Sequence, residues 1–170
     1  SYSSIYHHYR RWSKDGSWEN VWCNVLRNHK DILDLSSIQT DGSHTPAKKG
    51  GEAVSYQGRK KCKTSNLIFL SDKAGNMLGF SDVYAGAHND LYNISDSFEK
   101  MINPMQKAGI PTDGLFLNAD AGFDGKEFKK ICFRNDIFLN VDENKRNGET
   151  LDNEEVYCIF DSELYKNRFV

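Results

Sequence analysis

Two aspartates close two strand-like runs, "SSIQTD" at Asp41 and "LFLNAD" at Asp120. A sheet fixes the ends of neighbouring strands close together, so carboxylates at two such ends can converge on one oxygen-only site. Mg²⁺ or Mn²⁺ favours that ligation, and two such ions about 4 Å apart hold the attacking and leaving oxygens of a phosphoryl transfer. The competing reading is plain turn formation, for which Asp at a strand end is well suited. Other metal chemistry finds less support. Cys23, Cys62, Cys132 and Cys158 are widely separated and form no CxxC pair, which argues against a zinc ribbon or a disulfide framework. His7 and His8 are adjacent and so fall on different faces of a helix. "GRKKCKT" lacks the GxxxxGK[ST] spacing of a nucleotide-binding loop.

The elements that must position these side chains follow from periodicity. In the opening segment Ile5, Tyr9 and Trp12 share one helical face; after a break at "SKDGS", Trp18, Val21, Trp22, Val25 and Leu26 form a second apolar stripe. Two short helices joined by a Gly-containing turn are expected, either a helical hairpin packed on the main domain or a helix-turn-helix. A short strand ending at Thr40 or Asp41 leads into a long polar loop, "GSHTPAKKGGEAVSYQGRKKCKTS". "NLIFLSDKAGNMLGFSDVYAG" reads as an antiparallel hairpin around "DKAGN". Leu91, Ile94, Phe98, Met101 and Ile102 are spaced as a helix, weakened near its end by Pro104 and closed by Gly109. A buried strand ending at Asp120, a short helix over "KEFKKICFRND", a strand "IFLNVDEN", a polar loop and the start of a helix at Ser162 complete the chain. This order predicts an α/β fold with a mixed sheet and flanking helices: residues 1–32 form an N-terminal helical segment and 33–170 the main domain.

A chain of 170 residues is long enough to bury a core of its own. Its formal charge of −2 divides unevenly, at +5 for residues 1–63 and −7 for residues 64–170. A basic front suits contact with a polyanion, and an acidic rear suits metal binding or simple solvation. Lys48, Lys49, Arg59, Lys60, Lys61 and Lys63 cluster with Tyr56 in the long loop, as candidate contacts to a DNA backbone or as an ordinary solvated loop. No signal peptide or long apolar stretch is visible, so a soluble, cytoplasmic protein with no membrane partner is expected.

Taken together and in order, "YHHYRRWSKDGSWENV", "TDGSHT", "KKGGEAV", "AGAHND", "NADAGFDGKEF" and "YKNRFV" resemble the DDE transposases of bacterial insertion sequences, in the broad group of insertion-sequence families four and five. The resemblance spans nearly the whole chain. It implies a ribonuclease-H-like mixed sheet in which the first acidic residue ends the first strand and the second ends the fourth, matching Asp41 and Asp120. It implies Mg²⁺ or Mn²⁺ on those two carboxylates, double-stranded DNA (element ends and target) as partner, a homodimer, and a nucleoid-associated bacterial protein. The expected function is metal-dependent strand cleavage and transfer; the alternatives are a non-catalytic DNA-binding remnant and a nuclease of the same fold.

The resemblance also marks accessory positions. His88 in "AGAHND" is expected to orient a carboxylate, to approach the scissile phosphate, or simply to bond the backbone. Asp124, four residues after Asp120, is expected near the metal or as the cap of the following helix. In the family's last motif a Tyr is followed after two residues by Arg, and after three more by the catalytic Glu. Tyr165 and Arg168 fill the first two marks, and the Glu would fall two residues beyond Val170. Arg168 thereby joins the candidate DNA contacts, and Glu163 is the nearest acidic substitute although it matches no mark. The chain is therefore expected to be truncated just short of its third carboxylate, and to bind DNA while cutting it only weakly.

Overall fold

The computed structural model describes residues 1–144 and 160–166. Its sheet is built from β1 (Ile38–Pro46), β2 (Ser55–Gln57), β3 (Cys62–Asp72), β4 (Met77–Phe80), β5 (Tyr84–Ala85), β6 (Phe116–Ala119) and β7 (Phe138–Val141). The order is β2-β3-β1-β6-β7, with β4 and β5 also paired to β3. Strands joined by turns run antiparallel: β3 pairs with β1 over the whole of β1, from Ile38↔Asp72 to Pro46↔Thr64. Strands separated by helices run parallel, as crossover connections require. Thus β6 pairs with β1 only over Ile38–Thr40, and β7 pairs with β6 over its full length.

Five helices accompany the sheet among the described residues: α1 (Tyr2–Lys14), α2 (Ser17–His29), α3 (Ile94–Ala108), α4 (Lys126–Arg134) and α5 (Ser162–Lys166). One sheet face carries Ile38, Thr40, Ile68, Leu70, Leu117, Ala119 and Leu139 at alternate positions, all buried. Against them lie Phe98, Met101 and Met105 of α3 and Phe128 and Cys132 of α4, in one hydrophobic cluster. The rings of Phe98 and Phe128 meet edge to face at 5.6 Å. Helix α3 rests on β4 at backbone distance, because a Cβ built on Gly79 would stand 2.0 Å from the Met101 carbonyl oxygen. Pro104 sits inside α3 and does not end it; the helix runs on to Gly109, whose φ of 73° forms the left-handed cap.

The two N-terminal helices form as their periodicity predicts, around Gly16 with φ 77°. Their burial differs. Helix α2 buries Cys23 and Leu26, and Trp22 donates from Nε1 to the Leu78 carbonyl at 3.3 Å. Lys107 of α3 pairs with Glu19 at 2.7 Å, and its carbonyl accepts from Arg27 at 2.7 Å. Helix α1 has no buried residue: the Ile5, Tyr9 and Trp12 stripe is exposed, with the rings of Tyr9 and Trp12 both meeting that of Trp18. No helix among the described residues is long and apolar enough to cross a membrane. Cys23, Cys62 and Cys132 are free thiols, while Cys158 lies outside the described residues.

The long polar loop expected after Asp41 is largely sheet. Strand β1 continues past Asp41 to Pro46, β2 occupies Ser55–Gln57, and β3 opens at Cys62. Beyond Thr40 the strands β1, β3 and β2 therefore extend as an antiparallel ribbon that β6 does not follow.

Candidate metal and nucleic-acid site

Asp41 lies one residue past the end of the parallel β1–β6 pairing, and Asp120 lies one residue past the end of β6. The last registered pair is Thr40↔Ala119, so the next residue on each chain brings Asp41 beside Asp120. Asp120 keeps an extended backbone, with φ −73° and ψ 168°, so the side-chain alternation carries through to it. Since Thr40 and Ala119 face the core, Asp41 and Asp120 project from the opposite face. Asp41 is exposed and Asp120 half-buried. One oxygen of each is held by the backbone: Asp41 Oδ1 accepts from Gly42 N–H, and Asp120 Oδ1 from Gly122 N–H, each at 2.8 Å. The Asp120 bond starts a short 3-10 turn over Ala121–Phe123, so this residue also forms the turn that its position suggested.

The same face carries a polar row one pleat back from the carboxylates. Gln39, Asn118 and Asn140 stand side by side across β1, β6 and β7, all buried. Asn140 Nδ2 donates to Asn118 Oδ1 at 2.7 Å. Gln39 Oε1 and Asn118 Nδ2 have no hydrogen-bond partner among the described residues; one is an acceptor and the other a donor, on adjacent positions of the row. A sequence signal for this row exists: Phe116–Asp120 and Phe138–Asp142 both read Phe-Leu-Asn-x-Asp, and the two copies pair in register. Asp142, which is exposed, follows β7 as Asp120 follows β6.

On the core-side face, Asp90 closes over β1 immediately after Asp41. A Cβ built on Gly42 would lie 2.2 Å from Asp90 Oδ1, so only glycine leaves room for this carboxylate. Asp90 Oδ1 accepts from Asn66 Nδ2 at 2.8 Å, and the buried Asn66 Oδ1 has no hydrogen-bond partner among the described residues. Sequence reasoning passed over Asp90, although it stands in the same "AHND" stretch as His88.

The remaining predicted residues fall in several places. Lys48 and Lys49 lie in the connection between β1 and β2, Arg59, Lys60 and Lys61 in the turn between β2 and β3, and Lys63 on β3; all six are exposed. They gather toward the tip of the ribbon, and Asp41 to Pro46 spans about 17 Å at roughly 3.4 Å per residue. His88 stacks on Tyr92, ring centroids 3.7 Å apart, and its backbone N–H donates to the Ala85 carbonyl. Asp124 is buried, pairs with Lys129 at 2.5 Å and accepts from Asn144 N–H at 2.7 Å. The N-cap position of α4 is Gly125, the residue after it. Tyr165 on α5 is half-buried and packs on Phe160 at 5.4 Å; Glu163 is exposed. Arg168 lies outside the described residues.

Two adjacent carboxylates are a donor set suited to Mg²⁺, which is commonly held by one or two carboxylates with water and substrate phosphates filling the octahedron. Among the described residues no group of three or more His, Cys, Asp or Glu side chains is gathered to hold a metal ion. The remaining ligands of such an ion would come from outside this set.

The chain is thus an α/β protein with a mixed, seven-stranded sheet among its described residues, flanked by helices and bearing a pair of carboxylates where a parallel pairing ends. No family model matches the chain, and no curated protein matches it. Among solved structures it is similar to the Mos1 transposase in a paired-end complex with the left transposon end, with 9% sequence identity and a TM-score of 0.44. The match covers 71% of this chain and 40% of that one.

Proposed function

We propose that this chain is the catalytic core of a DDE transposase, with a ribonuclease-H-like sheet over 33–170 and an N-terminal helical segment over 1–32. The observation that carries the reading is the placement of Asp41 and Asp120 each one residue beyond the last parallel pair, Thr40↔Ala119, on one face of the sheet. With the short β2 and β5 set aside, Asp41 belongs to the first strand and Asp120 follows the fourth, as the sequence resemblance requires. Asp41 and Asp120 are the residues that would hold a divalent ion and fix its place relative to the sheet. When bound, Mg²⁺ or Mn²⁺ lowers the pKa of an attacking water or 3′ hydroxyl and neutralises charge on the phosphate and leaving oxygen. The basic ribbon holds the DNA backbone, so that the scissile phosphate meets the carboxylates in a fixed orientation.

The test separates cutting from binding. In the full chain, Asp41→Asn and Asp120→Asn are each expected to lower Mn²⁺-supported nicking of DNA carrying the element ends by at least about a hundredfold, because the ion loses an anionic ligand where charge develops. Affinity for the same DNA across a salt series should be retained. Nicking that survives both substitutions overturns the assignment, and a chain that binds DNA but never cuts it is a non-catalytic binding protein.

A further inference from the structure

We infer that Asn140 is a positioning residue that docks the start of α5 onto the sheet beside the carboxylate pair. This rests on the transposase reading for its functional half and on geometry alone for its structural half. Asn140 is fully buried on β7, yet its side chain is spent on one backbone position far along the chain. Its Oδ1 accepts from the Asp161 N–H at 2.8 Å, and its Nδ2 donates to the Asp161 carbonyl at 3.0 Å. A side-chain amide that bonds both polar groups of one residue imitates a neighbouring strand, and so fixes that residue in position and orientation.

From Asp161 the constraint passes into the helix. Asp161 Oδ1 accepts from the N–H groups of Glu163 and Leu164 at 2.9 and 3.0 Å, capping the first turn of α5. The Asp161 carbonyl that Asn140 holds also accepts from Tyr165 N–H at 3.0 Å, the first helical bond. On its other side Asn140 is bonded to Asn118, two residues before Asp120 on the adjacent strand. Two residues along a strand is about 6.6 Å, so the origin of α5 is set within roughly one pleat of the carboxylate row. Any group carried by α5 therefore takes its distance to Asp41 and Asp120 from Asn140. A core role alone would be met by an apolar residue; a buried amide here is retained because apolar contact fixes neither the register nor the direction of the arriving segment.

The experiment compares Asn140→Leu, which removes all the bonds at similar volume, with the near-isosteric Asn140→Asp, which keeps an acceptor for the Asp161 N–H and loses the donors. In the full chain, N140L should speed amide hydrogen exchange at Asp161, Glu163 and Leu164 by about tenfold or more, with the Leu117 amide of β6 as internal reference, and N140D should fall between. Mn²⁺-supported nicking, normalised to the folded fraction read by circular dichroism, should lose kcat while KM for DNA stays unchanged. Unchanged exchange at residues 161–164 in either folded variant overturns the docking role, and faster exchange with unchanged kcat overturns the positioning role. If the unsubstituted chain nicks no DNA, the exchange result still decides the docking, so failure of the transposase reading is told apart from failure of this one.

Discussion

Gly42→Ala is the sharpest test of how the carboxylate pair is supported. The added Cβ would stand 2.2 Å from Asp90 Oδ1 and 2.5 Å from its Cγ, whereas ordinary contact begins near 3.4 Å. Something must therefore retreat by about 1.2 Å, and either Asp90 swings away or β1 shifts. If Asp90 moves, its 2.8 Å bond from Asn66 breaks, and a side chain that is 2% exposed and already has an unsatisfied oxygen leaves its amide nitrogen unsatisfied as well. Stranding that buried amide costs about 1–3 kcal/mol, and each kcal/mol lowers Tm by roughly 2–4 °C in a chain of this size. If β1 moves instead, Asp41 moves with it, and a shift near 1 Å at a reacting centre costs about a hundredfold in rate. Thermal unfolding by circular dichroism reads the first branch and Mn²⁺-supported nicking the second. Asp90→Ala removes the obstacle, so G42A/D90A should be no less stable than D90A alone, a non-additive result. A G42A protein that matches the parent in both Tm and nicking would refute the close approach.

Two further outcomes are expected. Lys60→Ala with Lys61→Ala should weaken DNA binding without regard to sequence and reduce the slope of log affinity against log salt by about one for each phosphate no longer neutralised; an unchanged slope would remove the ribbon from the DNA interface. The hydrogen bond to Glu19 raises the Lys107 pKa above its ordinary 10.5, so the attachment of α2 to α3 is fully supported below that value and weakens as pH rises through the raised one. The alkaline loss, followed through Trp22 fluorescence, should be smaller in Glu19→Gln, and equal losses in both proteins would remove the pair from the account.

The parts of the fold that were legible in the sequence are those whose burial repeats. Ile94, Phe98, Met101 and Ile102 mark α3 because one helical face is sealed against the sheet, and Leu117, Asn118 and Ala119 mark β6 because both faces of that strand are covered. The far half of β1 is different. Ser43, His44, Thr45 and Pro46 form strand with neither face in the core, so no alternation of polarity marks them, and periodicity ends the strand where its burial ends. The stripe of Ile5, Tyr9 and Trp12 shows the converse: periodicity declares that a helix has an apolar face, but not what lies against it. The strand-end positions of Asp41 and Asp120 could be read because each closes a strand-like run. The repeated Phe-Leu-Asn-x-Asp marks Asn118 and Asn140 as a pair, but neither they nor Asp90 announce their partners, since a polar residue inside a strand or loop gives no sign of the distant backbone or side chain that satisfies it.

The change of partners along β1 has a mechanical consequence. Up to Thr40 the strand is clamped on both edges, by β3 and by β6; past Thr40 it travels with β3 alone of those two toward the basic turns. The ribbon does not hang from its root alone, because β3 is braced on its far edge by β5, at Ser65↔Ala85 and Asn66↔Tyr84, opposite Thr45 and His44. Asp41 stands where the support of β1 passes from two edges to one, and its separation from Asp120 stays set by the three paired residues behind them.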